Sequence, residues 1–417
     1  MFSQLIQQSS SFAARILVSL ISLLLSVVIV RLYTKAIVGD FFLLTSYSTV
    51  LAQVFLFGMA PALNIMSSRG AQLKKILLEV TKKNIISTLC TLLCGLILLF
   101  FFAKVDYSRL ILLSLLSGVL LIICEIMKGQ GMFILSQVFN GGLNNLLFLV
   151  FIVILIQNKK EADLEEIIGF YALAYMCIII TGAIYLAVKY KENEARSLTG
   201  NIITYSVIMP IFISTVIIYM FSQIDLWFVS RLFDNEVVAQ YGLAIRLTAV
   251  LSFSTLSVRA IAAARIPKLM SNIQALQKDI SLSCLFSFLV SFAILCGIVL
   301  FGNFFIGLIY GNGYELTWYV LLIFSFGQMI NAATGPCDYL LSHTGHGRYL
   351  MLITLVSFLL LMVLLSIITL RFNSVFLFCS AVSFTICLQN LIIVYVAFKK
   401  TGVISLPLIK YKRIYIS

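Results

Sequence analysis

Uncharged, mostly apolar runs recur along the whole chain, at 41–68, 84–103, 129–158, 167–188, 197–224, 280–314, 349–370 and 372–398. A bilayer core of ~30 Å is crossed by about twenty helical residues at ~1.5 Å each, so most of these runs suffice for one crossing. Membrane barrels use alternating strands of about ten residues, a pattern absent here, so helices fit. The runs and the shorter apolar stretches between them predict about twelve transmembrane helices: 12–33, 40–67, 84–103, 109–127, 131–156, 167–188, 202–229, 237–264, 281–302, 316–342, 349–370 and 375–398. The stretch 280–314 exceeds one crossing, and Gly302, Gly307, Gly311 and Gly313 are expected to loosen its far end. Pro61, Pro210, Pro267 and Pro336 fall in or at the ends of spans, where kinks serve as hinges.

Composition agrees. The 417 residues are 61% hydrophobic and 11% charged, whereas soluble chains carry about a quarter charged residues. The fold class is therefore an all-α polytopic membrane protein. The apolar run from Phe12 to Val30 is long for a signal segment and reads as the first span, retained. The net charge of +13 implies no nucleic-acid partner, because Lys and Arg gather between spans. With both termini cytoplasmic, Arg31, Lys35, Lys104, Arg109, Lys159, Lys160, Arg231 and Arg371 lie outside, Arg15, Arg246 and Arg259 lie within spans, and the other 18 of the 29 lie inside. That bias fits the positive-inside rule and an even helix count. Trp227 and Trp318 are then expected at the outer interface. Nine Cys, all in apolar stretches, read as small buried hydrophobes rather than disulfides. Two His build no metal site alone.

The halves resemble each other. At an offset of 200, Arg31-Leu32-Tyr33 aligns with Arg231-Leu232-Phe233, and Val50-Leu51 with Val250-Leu251. At an offset of 213, Cys124-Glu125-Ile126-Met127 aligns with Cys337-Asp338-Tyr339-Leu340; further on, three residues out of that register, Gly129 and Gly131 echo Gly345 and Gly347. Six spans return the chain to its starting side, so this is a parallel repeat: residues 1–196 form one six-helix half, 197–398 the second, and 399–417 a basic cytoplasmic tail. Such repeats place the substrate path between the halves, and rocking gives alternating access.

Intramembrane charge is costly and faces a cavity or a partner. The lumen candidates are Arg15, Asp225, Arg246 and Arg259. For Asp225 and Arg246, at comparable depths, a structural ion pair is an equal alternative. For Arg15 and Arg259 the alternative is snorkelling to the interface. Arg259 shares a helical face with Thr248, Ser252 and Thr255, a stripe that resembles the wall of a wet cavity. Glu125, Asp338 and Arg348 are gate candidates, with pairing of Glu125 to Lys128 and of Asp338 to Arg348 as the structural alternative. Thr45, Ser46, Tyr47, Ser48, Thr49 and Gln53 suit a hydrated passage, or helix–helix contacts. No P-loop, GxSxG, HExxH or CxxC motif occurs, which points away from an ATP-driven pump and from an enzyme.

Several segments resemble the polysaccharide-transport branch of the multidrug/oligosaccharidyl-lipid/polysaccharide exporter superfamily. They are Ser9-Ser10-Ser11…Arg15 with Arg31-Leu32-Tyr33, Phe301-Gly302…Ile309-Tyr310-Gly311…Tyr314, and Gly335 through Arg348, which contains Leu340-Leu341-Ser342-His343-Thr344-Gly345-His346. The resemblance runs the length of the chain and is nearest to Wzx-type O-antigen flippases. It implies a MATE-like, V-shaped arrangement of two pseudo-symmetric halves around a central cationic lumen. It also implies movement of an undecaprenyl-pyrophosphate-linked oligosaccharide from the cytoplasmic to the periplasmic leaflet of the bacterial inner membrane. Membrane lipid, a polysaccharide polymerase and a chain-length regulator are the implied partners. No cofactor is implied, and a coupling ion, H+ or Na+, stays open. The rival readings are a multidrug or cation antiporter of the same superfamily and, from another class, a membrane polysaccharide polymerase or glycosyltransferase.

Overall fold

The computed structural model describes residues 2–102, 106–158, 163–190 and 205–407, and these contain helices and no strand. The helices of the first half of the sequence are α1 (Phe2–Leu32), α2 (Lys35–Leu56), α3 (Ala60–Ser68), α4 (Leu73–Phe102), α5 (Tyr107–Gly129), α6 (Phe133–Gln137), α7 (Asn144–Asn158) and α8 (Leu164–Lys189). Those of the second half are α9 (Tyr205–Phe221), α10 (Ile224–Leu232), α11 (Asn235–Leu269), α12 (Ile273–Tyr310), α13 (Glu315–Thr334), α14 (Cys337–Leu341), α15 (Gly347–Arg371) and α16 (Val375–Thr401). Among the described residues nine spans are long and apolar enough to cross a membrane, α6–α7 and α14–α15 each counting as one continuous span, and the bent pair α9–α10 makes a tenth. The shorter apolar stretch Ile16–Leu32 of α1 and the more polar α11 stand where the first and eighth helices were expected.

Helix boundaries follow the two offsets seen in the sequence. α2 and α11 begin at 35 and 235, α4 and α12 at 73 and 273, and α7 and α15 end at 158 and 371. The left-handed turns before α6 and α15 fall at Gly131 (φ 81°) and Gly345 (φ 83°), so Gly131 is the counterpart of Gly345 rather than of Gly347.

The most buried span is also the least apolar. The most apolar stretch of α2 is 78% buried with a mean hydropathy of 1.3, whereas that of α12 is 17% buried with 2.7. A helix inside the protein tolerates hydroxyls and amides, and one facing lipid does not. Phe100, Leu300 and Leu370 stand 72–85% exposed on such outer faces.

Several helices break where the sequence reading drew one span. α2 ends at Phe57 (φ 50°) and Gly58 (φ 68°), with Pro61 in the first turn of α3, so the break precedes the proline. α9 and α10 meet at 46° around Ser222–Gln223, beyond Pro210. α13 and α14 part at Gly335–Pro336, as that proline led one to expect. The long run after 280 stays helical through Gly302 and Gly307 and stops only at Gly311 (φ 97°) and Gly313 (φ 89°). Gly302 lies under Trp318, where a Cβ would meet the indole at 2.8 Å.

Contacts divide the chain into Met1–Ala239 and Gln240–Ser417. In the first unit a core of Phe55, Met59, Leu63, Ile123, Met127 and neighbours joins α2, α3 and α5. Its polar ties include Ser67 Oγ to the Ile126 carbonyl (2.8 Å), Asn145 to Ser22 (2.7 Å) and an Arg109–Glu165 ion pair between the starts of α5 and α8. In the second unit Ile266, Ile280, Cys284, Cys337, Leu340 and Ala397 pack together. All nine cysteines are free thiols.

Candidate functional site: a broken helix and its arginine

α13 ends with Gly335 at φ 58°, a backbone region that suits glycine, and Pro336 supplies no N–H to continue the helix. Space demands the glycine as well, because a Cβ there would stand 2.6 Å from Cys284 Sγ. At the matching positions of the first half stand Ile122 and Ile123, and α5 runs through them unbroken.

Arg259, on α11, reaches both sides of this break. Its Nη2 donates to Asn331 Oδ1 on α13 at 3.0 Å, and its Nε lies 3.3 Å from Asp338 Oδ1 on α14. The two charged side chains retain 20% and 24% exposure. Asn331 also donates to Gln328 Oε1 (3.0 Å), and Thr334 Oγ1 returns a bond to the Asn331 carbonyl (2.9 Å). The guanidinium is thus oriented by an amide and neutralised by a carboxylate, its Nε is buried, and a fifth of the side chain as a whole stays exposed. A cation so placed is suited to exchanging its carboxylate partner for a phosphate group.

The other candidates separate. Asp338 pairs with Arg259, not with Arg348. Arg348 stands exposed in the first turn of α15, beyond the kink at Gly345. Glu125, the counterpart of Asp338, pairs within its own helix with Lys128 at 2.5 Å. Asp225 is buried (3% exposed) in the first turn of α10, where the helix dipole favours an anion. Arg246 is half-buried on α11, and the side chain of Arg15 lies outside the described residues.

Three polar features fill structural roles. Trp227, expected at the outer interface, is fully buried. It donates to Ser46 Oγ at 2.8 Å and lies 4.8 Å from the Tyr47 ring. Thr45, Ser48 and Thr49 donate to carbonyls of their own helix, and of this hydroxyl run Ser46 meets a neighbouring helix, through Trp227. Thr248 and Thr255 are buried, and Thr248 donates to the Ala244 carbonyl, so they form no open wet wall. Asn331, Gln328 and Thr334 escaped the sequence reading. Their signal was a cluster of amides and a hydroxyl just ahead of a Gly-Pro pair in an otherwise apolar helix.

The MatE family model matches residues 210–368. No curated protein matches the chain by sequence. Among solved structures, the lipid II flippase MurJ in an inward closed conformation superposes with a TM-score of 0.71 at 15% identity, over 94% of this chain and 87% of that one. The MATE multidrug transporter DinF-BH gives 0.66 at 12% identity, with 94% of each chain covered. A MOP superfamily transporter from Pyrococcus furiosus gives 0.57 at 15% identity, again over 94% of each. The fold is that of the MATE and MurJ transporters, and the chain is a multi-pass helical membrane protein.

Proposed function

We propose that this protein is a flippase that moves an undecaprenyl-pyrophosphate-linked oligosaccharide repeat unit from the cytoplasmic to the periplasmic leaflet of a bacterial inner membrane. The observation that carries this reading is the near full-length likeness to a lipid II flippase, at a TM-score above that of the multidrug transporter DinF-BH.

On this reading residues 1–196 and 197–398 act as two rocking halves, with both termini and the basic tail 399–417 in the cytoplasm. Arg259 exchanges Asp338 for a phosphate of the cargo. Arg15, Arg246 and Asp225 complete the charged lining, and Glu125, Asp338 and Arg348 belong to the cytoplasmic gate. The polyprenyl tail stays in lipid. With the interior negative, outward movement of two negative charges is favoured by ~4.6 kcal/mol per 100 mV. A coupling ion, H+ or Na+, would add to that drive. A polymerase and a chain-length regulator then receive the product.

Deleting the gene and analysing lipid-linked intermediates tests the reading. Single repeat units on undecaprenyl pyrophosphate should accumulate on the cytoplasmic face. Unpolymerised units reaching the periplasm would instead identify a polymerase. Normal polysaccharide with increased sensitivity to cationic dyes would identify a drug antiporter, the reading favoured by the likeness to multidrug transporters.

A further inference from the structure

Helix α16 ends at Gly402 in a left-handed turn (φ 72°), and the chain then folds back into the second unit. Val403 and Ser405 are fully buried there. One side chain grips this segment from both directions. Gln277 Oε1 accepts from the Ile404 N–H at 2.8 Å, and Gln277 Nε2 donates to the Ile404 carbonyl at 2.8 Å. Ser405 Oγ, held in place by that grip, donates to the carbonyl of Thr334 at 2.6 Å. Thr334 is the last residue of α13, so its carbonyl has lost its helical partner to the Gly335–Pro336 break. Ser405 therefore satisfies the group that the break orphans, in a place where an unpaired carbonyl is costly.

We infer that Val403–Ser405 is an internal latch that fixes the α13–α14 break and, through Thr334 and Asn331, the setting of Arg259 and Asp338. Gln277 and Ser405 are its positioning residues. Among the described residues the first half shows no such grip. Leu77 stands where Gln277 does and Leu121 where Thr334 does, and α5 has no break to hold. The effect on transport rests on the role proposed for Arg259. The effect on the break does not.

The native thiol of Cys337, wholly buried in the first turn beyond the break, is a reporter that needs no cargo. In the full chain, with Cys337 as the sole cysteine, a membrane-permeant maleimide should label Ser405→Ala and Gln277→Ala at least tenfold faster than the parent. Ser405→Thr, which keeps the hydroxyl, should label at the parent rate. Lipid-linked intermediates should accumulate in the two alanine variants only. Labelling at the parent rate in both alanine variants would sink the latch whatever the cargo proves to be. Faster labelling with normal polysaccharide output would sink its link to transport.

Discussion

Neutralising Arg259 removes a guanidinium and also strands Asp338, so Arg259→Gln alone does not separate binding from support. The double variant Arg259→Gln/Asp338→Asn does, because it leaves no unpaired charge. If the arginine serves transport, both variants insert normally and both lose surface polysaccharide, by about tenfold or more if one charge-assisted phosphate contact of ~1.5–3 kcal/mol is lost. Recovery in the double variant would make the pair structural. Arg259 was legible because a charge in an apolar helix is conspicuous. Its partner was not. Asp338 is far nearer in sequence to Arg348, yet it meets a residue on α11. Trp227 shows the opposite failure. An aromatic near a helix end suggests an interface, but burial against Ser46 and Tyr47 depends on how α10 meets α2.

At the scale of helices, starts and stops follow local chemistry. Asp106 caps α5 by accepting from the Ser108 N–H (2.8 Å), the Ser108 hydroxyl (2.6 Å) and the Arg109 N–H (3.4 Å). These bonds, the Ser108 hydroxyl first, hold its carboxyl below the usual carboxylate range. A depressed value in the folded state means the stabilisation is complete above the ordinary carboxylate pKa of ~3.9 and is lost as pH falls through the folded value. Asp106→Ala should therefore cost about 1 kcal/mol near neutrality, and the gap to the parent in thermal unfolding should narrow in acid. A gap independent of pH would assign the loss to something other than the ionised cap. Breaks were half legible. Gly335–Pro336 announces itself, and its absence in the first half, where Ile122–Ile123 stands, explains the unbroken α5. The bend between α9 and α10 carries no such mark at Ser222–Gln223, so Pro210 drew attention to the wrong place.

For the whole molecule, the 18-to-8 distribution of Lys and Arg across the expected faces predicts cytoplasmic termini. A fluorescent protein fused at the C-terminus should fold and fluoresce, and alkaline phosphatase fused there should be inactive. The reverse result would invert the topology and place the α13–α14 break on the outer side. The helical class, the order of the helices, the offsets of 200 and 213 and the excess of basic loops were all determined by the sequence alone. Each depends on the length of an apolar run or on the placement of charge at its ends, and both are local. Tertiary structure decided which polar groups meet. Arg259 with Asp338, Trp227 with Ser46 and Ser405 with the orphaned Thr334 carbonyl join residues 71 to 181 positions apart. In a membrane interior the length of an apolar run says only that a helix crosses, because lipid gives no hydrophobic drive that would choose its neighbours. Which face of a helix turns inward, and toward which neighbour, is settled by packing and by the few polar bonds that packing allows.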